Sequence, residues 1–126
     1  MKKLNIPEGY QCVMPYLILE NAAGFLEFTK TVFGADEKHK AMRDEKLIQH
    51  GEIIISGSVV MFADATEQYP PRPGSFFIYV DDCDAVYKKV LENGATTITE
   101  PADQGYGRSA GVTDAFGNTW WVTAVS

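Results

Sequence analysis

The stretch Asn21-Ala22-Ala23-Gly24-Phe25-Leu26-Glu27-Phe28-Thr29-Lys30-Thr31-Val32-Phe33-Gly34 decides how this chain folds. Asn21 is a side-chain acceptor suited to a helix start. Phe25, Leu26, Phe28, Val32 and Phe33 recur at steps of three and four, the signature of one buried helix side, and Gly34 supplies a left-handed stop. A helix of about three turns is predicted. Ahead of it, Met14 to Leu19 is an apolar run with β-branched and aromatic members, as in a strand covered on both faces. After it, Glu37 to Lys46 reads as an exposed strand and turn. Leu47 to Ser56 and Val59 to Ala63 follow as two strands around a hairpin at Gly57-Ser58.

The same programme then runs a second time. Phe76 to Val80 is strand-like, Asp82 offers a cap, and Cys83, Val86, Tyr87, Val90 and Leu91 form a helical stripe ending at Asn93-Gly94. Ala95 to Glu100, Gly105 to Thr113 and Asn118 to Val125 supply three further strands. The punctuation matches between the halves, with Gly34-Ala35 answering Gly94-Ala95 and Gly57 answering Gly117. Thr66 to Gly74, rich in proline, reads as the joint between them, because proline does not serve a sheet interior.

The fold class expected is therefore α+β, one domain of two tandem βαβββ modules at about 10–64 and 75–126, joined by a linker at about 65–74. Composition agrees. A chain of 126 residues with 45% hydrophobic and 22% charged residues suits one ordinary globule and excludes disorder, collagen and coiled coil. The balance of 11 basic against 17 acidic residues, net −6, argues against a nucleic-acid partner, which needs a basic footprint. No apolar run follows Lys2-Lys3, and none later approaches the ~18 residues of a membrane span, so neither a leader nor a membrane partner is expected. Cys12 is placed on a strand and Cys83 on a helix; both read as reduced thiols of a cytoplasmic protein.

Five motifs in register carry a resemblance. Pro15-Tyr16-Leu17 before a helix, F-x-x-x-V-F-G from Phe28 to Gly34, Gln49-His50-Gly51-Glu52, Tyr79-Val80-Asp81-Asp82 and Asp114-Ala115-Phe116-Gly117-Asn118-Thr119-Trp120 together resemble the vicinal oxygen chelate superfamily, the glyoxalase and bleomycin-resistance fold, most of all its PhnB-like branch. The resemblance spans about residues 10 to 125. It implies paired βαβββ modules curled around a cleft, often completed by a second chain in a homodimer. Two departures stand out: Thr29 where the branch commonly has an aromatic, expected to lie on the helix surface, and Ala115 where the turn has proline.

In metal-using members the ligands come from the first and last strand of each module. Carried over, those places hold Met14, Met61, Ser75 and Trp121. None is His, Glu or Asp, and thioethers and indoles do not suit a divalent ion that wants imidazole and carboxylate. No metal and no other cofactor is expected. Strand alternation instead puts Cys12, Met14 and Tyr16, then Met61, then Phe77 and Tyr79, then Trp121 on the cleft side. Such a lining suits a flat, aromatic or cationic small molecule, although the same residues would also serve as plain core.

Further residues stand out beside it. His50 and Glu52, two apart on one strand, point the same way; they fit an acid/base pair, a ligand contact, or a solvated strand edge. His39, between two lysines, reads as surface. In the stretch Glu100 to Arg108, read as a glycine-rich loop, Tyr106 and Arg108 suit closure over an anionic group, or else Arg108 simply pairs with a nearby acid. Cys12 lacks an activating base in its strand and reads as inert packing.

The expected ligand-binding set is Met14, Tyr16, His50, Glu52, Met61, Phe77, Tyr106, Arg108 and Trp121. The function expected is capture of a small, aromatic or cationic molecule in a metal-free cleft, with no catalytic residue assigned. The alternatives are a metal-dependent lyase, isomerase or dioxygenase of the glyoxalase type, and a metal-free enzyme using His50, Glu52 and Arg108.

Overall fold

A computed structural model describes residues 3–126; the sequence reading of Met1 and Lys2 at the amino end lies outside the described residues. The first module runs β1 (Tyr16–Leu19), α1 (Ala22–Phe33), β2 (Asp36–Met42), β3 (Ile48–Ile55) and β4 (Ser58–Asp64). The second runs β5 (Ser75–Tyr79), α2 (Cys83–Glu92), β6 (Thr96–Gln104), β7 (Gly107–Thr113) and β8 (Thr119–Ala124). Each forms an open four-stranded sheet, ordered β1-β4-β3-β2 and β5-β8-β7-β6, with the first strand parallel to the fourth and the rest antiparallel. The repeat read from the sequence is thus a repeat of topology.

Local chemistry sets the boundaries. The Asn21 side chain accepts from the Gly24 N–H at 3.1 Å and the Asp82 side chain from the Ala85 N–H at 3.1 Å, each satisfying a donor the helix start leaves free. Gly34 closes α1 at φ 67°, a conformation a Cβ disfavours. The first hairpin turns on Ser56-Gly57, one residue earlier than expected, with both residues at positive φ as a two-residue turn requires.

Each helix packs on one face of its own sheet, and the two helices touch. Leu17, Leu19, Ile53, Val60 and Phe62 of the first sheet and Val112, Trp120 and Val122 of the second bury into the same core as α1. The modules are joined by aromatic contacts: Trp120, stacked on Phe76 of its own module with centroids 4.3 Å apart, meets Phe33 of α1 at 4.5 Å. Phe116 abuts both Phe25 and Phe28 edge to face.

Three expectations are corrected. Cys12 lies outside any strand and is exposed. The β1 ladder opens only at the Pro15 carbonyl, which accepts from the Met61 N–H, and residues 12 and 13 bend away; Cys12 therefore neither packs inside nor shares a strand face with Tyr16. Thr29 is fully buried rather than on the helix surface, its hydroxyl donating back to the Phe25 and Leu26 carbonyls at 3.1 and 3.0 Å. The stretch read as a loop from Glu100 to Arg108 is a tight hairpin, β6 running on to Gln104 and β7 starting at Gly107. Pro101 is tolerated there because β6 is an edge strand and its register shifts between Thr99 and Ala102.

Candidate functional site

Alternation along the strands gives each sheet a second face, remote from the helices. On the first sheet it carries Tyr16, Met61, Glu52 and His50. Register places Tyr16 beside Met61 and Met61 beside Glu52, so three strands present one row. The row is wired by hydrogen bonds. Tyr16 Oη lies 3.0 Å from His50 Nδ1, His50 Nε2 lies 2.8 Å from Glu52 Oε2, and Tyr10 Oη donates to Glu52 Oε1 at 2.5 Å. Glu52 is 5% exposed, so the solvated strand edge is not what the fold builds here.

Tyr10 belongs to the irregular segment ahead of β1, which crosses this face. Gln11 Nε2 donates to the Val59 carbonyl at 2.9 Å, and Lys38 Nζ sits 4.5 Å over the Tyr10 ring. Between segment and sheet lies a cavity of about 420 Å³, lined by Leu4, Ile6 and Pro7 on one side and Met14, Met61 and Glu52 on the other. Burial by itself pushes the Glu52 carboxyl up. The hydrogen bonds from Tyr10 and His50, together with the charges of His50 and His39, outweigh it and hold Glu52 below its ordinary range. The reciprocal effect raises the Tyr10 phenol, chiefly through that same bond to Glu52.

On the second sheet the corresponding face is aromatic and open. Phe77 is 51%, Tyr79 67% and Trp121 36% exposed. Phe77 meets Tyr79 edge to face at 5.3 Å and Tyr106, at the hairpin tip, at 6.2 Å. Trp121, beside Phe77 in register, lays its indole over Gly111, where any Cβ would collide with the ring.

Arg108 does not join this face. Its Nε donates to Asp84 at 2.9 Å and its Nη1 to Asp103 at 3.2 Å, which commits the guanidinium to two acids beside a cavity of about 740 Å³. Cys83, at that cavity's edge, is held as a thiol: burial raises it first, Asp84 and Asp82 add to the shift, and Arg108 opposes them. Among the described residues, no hydrogen bond or aromatic contact joins the Tyr16–Glu52 row to the Phe77–Trp121 face. The sequence-named residues thus fall into two groups, with Arg108 apart. Tyr10 was not among them, for a segment without periodicity carries no facing signal, nor was Lys38 of β2, whose partner lies in that segment.

Residues 13–122 match the family model described as the glyoxalase/bleomycin resistance protein/dioxygenase superfamily. The chain belongs to that superfamily. A relative in Mycobacterium bovis, the uncharacterized protein Mb0911c, is 29% identical over 118 residues, covering 84% of this chain and 78% of that protein. Among solved structures, the PhnB protein from Bacillus cereus superposes with a TM-score of 0.76 at 16% identity, over 91% of this chain and 100% of that one. A superfamily member from Sphaerobacter thermophilus gives 0.65 at 17% identity, over 91% and 98%. Both likenesses are of fold. The places to which the resemblance carries the metal ligands, Met14, which lies ahead of β1 and not on it, Met61, Ser75 and Trp121, hold two thioethers, a hydroxyl and an indole, a set that does not fit a hard or borderline divalent ion.

No described helix is long and apolar enough to cross a membrane.

Proposed function

We propose that this superfamily member binds a small aromatic or cationic organic molecule in a metal-free cleft built on the helix-remote faces of its sheets, with a second copy of the chain completing it. The observation that carries the reading is the open aromatic face of the second sheet. Phe77 and Trp121 stand side by side, with Tyr79 two residues along β5, on strands whose opposite side faces the core: Trp120 and Val122 are buried there and Phe76 and Ile78 pack against them partly buried, so the exposure of the three aromatics is not a failure of folding. Large ordered aromatics left in water favour a flat ligand or a partner surface. A homodimer that set this face against the Met14–Met61–Tyr16 face of the partner would give the ligand one aromatic wall and one of thioethers and a phenol. Two unpaired cysteines and the net charge of −6 suit the cytoplasm.

The metal-dependent alternative is disfavoured by the donor chemistry of its four positions. A metal-free enzyme using Arg108 would have to draw its guanidinium away from Asp84 and Asp103.

Thermal-shift screening against metabolites and antibiotics tests the binding reading. Hits are expected that quench tryptophan emission and that weaken at least tenfold in Trp121→Ala with the fold intact. A library without hits, or hits indifferent to Trp121, would refute it. Light scattering is expected to give about twice the 13.9 kDa of one chain; a monomer mass would remove the second copy.

A further inference from the structure

The hydrogen-bonded row on the first sheet has a direction, and the direction specifies what its open end accepts. Glu52, held ionised by its partners, has only acceptor oxygens; one takes the Tyr10 O–H and the other faces His50 Nε2 at 2.8 Å. His50 Nε2 therefore carries a proton and donates it. In the neutral imidazole this leaves Nδ1 bare, so the contact at 3.0 Å is made by the Tyr16 O–H donating to it. The single phenolic proton of Tyr16 is spent inward. What Tyr16 Oη offers outward is lone pairs alone.

Exposure runs along the same axis. The Glu52 and His50 side chains are buried and half-buried, whereas Tyr16, on an edge strand, is 48% exposed. A buried anion thus sits behind a half-buried imidazole, and the phenol at the end of the row is the most exposed of the three. Every dipole in the row is oriented with its negative end outward, as in a chain of bonds that polarise one another.

We propose that Tyr16 Oη is the recognition point for a protonated primary or secondary amine, oriented by His50 and Glu52 as positioning residues. This deepens the reading of a small-molecule site given above and rests on it. A ligand group must donate a hydrogen bond to Tyr16, which excludes carboxylates, phosphates and quaternary ammonium groups. The anionic Glu52 and the net charge of −6 favour a cationic donor over a neutral hydroxyl. No covalent step is involved.

Protonating His50 reverses the row. Nδ1 then donates to Tyr16, the phenol proton swings outward, and a second positive charge faces the amine. The groups that bear on His50 are Tyr16 from β1, His39 from β2 with its ring 6.2 Å away, Glu52 on its own strand, and Tyr10, under Lys38, through Glu52.

The test compares benzylamine with benzyltrimethylammonium by NMR titration of the intact chain at pH about 8.5, below the ordinary amine range of ~10. Benzylamine is expected to bind at least tenfold more tightly. That preference should vanish in Tyr16→Phe and in His50→Leu, and survive in His50→Gln, whose amide again donates to Glu52 and accepts from Tyr16. Equal binding of both probes, a preference untouched by Tyr16→Phe, or a preference lost equally in His50→Gln and His50→Leu would overturn the proposal. Failure of benzylamine to bind, while screening hits still quench Trp121, would overturn it too and leave the cleft reading standing. Should His50→Leu unfold, the comparison of Tyr16→Phe with the unaltered chain decides.

Discussion

Replacing Asp114 by asparagine removes one negative charge and almost no volume, yet it should be among the most damaging single changes in this protein. Asp114 is buried in the turn between β7 and β8. Its Oδ1 accepts the Phe116 and Asn118 backbone N–H groups, both at 2.9 Å, and its Oδ2 accepts Asn118 Nδ2 at 3.0 Å and Trp120 Nε1 at 2.8 Å. An asparagine keeps one oxygen and places an NH₂ against two donors, whichever way its amide is turned. Rotation of the Asn118 amide offers no relief, because Asn118 Oδ1 already accepts the Gly74 N–H at 2.8 Å. A buried donor left without an acceptor costs about 1–3 kcal/mol, so two of them give roughly 2–6 kcal/mol. Against a total of ~5–15 kcal/mol, that is a large part of the stability of a domain this size. Urea unfolding with a slope of ~1–3 kcal/mol per molar should show the midpoint falling by about 2 M. The indole N–H of Trp120 should move upfield in the proton spectrum as its bond is lost. A midpoint within about 0.5 M of the unaltered chain, with the indole signal unmoved, would refute the claim that Oδ2 is an obligatory acceptor.

Glu52→Gln is expected to destabilise the protein at neutral pH. Because the folded carboxyl lies below its ordinary value of 4.5, its stabilising contribution is present above that value and lost as pH falls through the depressed one; the difference between the two proteins should therefore shrink in acid, and a gap constant from pH 7 to 3 would contradict it. Arg108→Ala should cost less than about 1 kcal/mol by chemical denaturation, since both of its ion pairs are exposed; a larger loss would mean that the hairpin depends on them. Gly111→Ala drives a Cβ into the Trp121 indole, so tryptophan emission and its quenching by cleft ligands should change; an unchanged spectrum would mean the ring does not rest there.

Much of the architecture was legible from residue types. Asn21, Asp82, Gly34 and the paired apolar stripes mark the helices through signals only a few residues long, and the spacing of two between His50 and Glu52 placed them on one face. Thr29 misled because its hydroxyl is satisfied by its own helix, a bond that allows a polar residue to be buried without a distant partner. The stretch with Pro101 misled because a proline breaks an interior strand, whereas an edge strand with a shifted register accommodates it. Cys12 misled because the apolar run of β1 appeared to extend back through Pro15, where the ladder in fact begins.

Taken alone, the sequence determined the order of elements, the twofold βαβββ programme, the sidedness of each strand and the unsuitability of Met14, Met61, Ser75 and Trp121 as metal ligands. All of these rest on local periodicity or side-chain chemistry, which need no knowledge of distant contacts. The tertiary structure alone decided that Tyr10, 42 residues away in sequence, closes on Glu52. It also decided that Arg108 pairs with Asp84, 24 residues away, and that Tyr16 Oη meets His50 Nδ1 at 3.0 Å. Those outcomes depend on which donors and acceptors the packed sheets and helices bring within about 3 Å, a matter of geometry on which sequence spacing is silent.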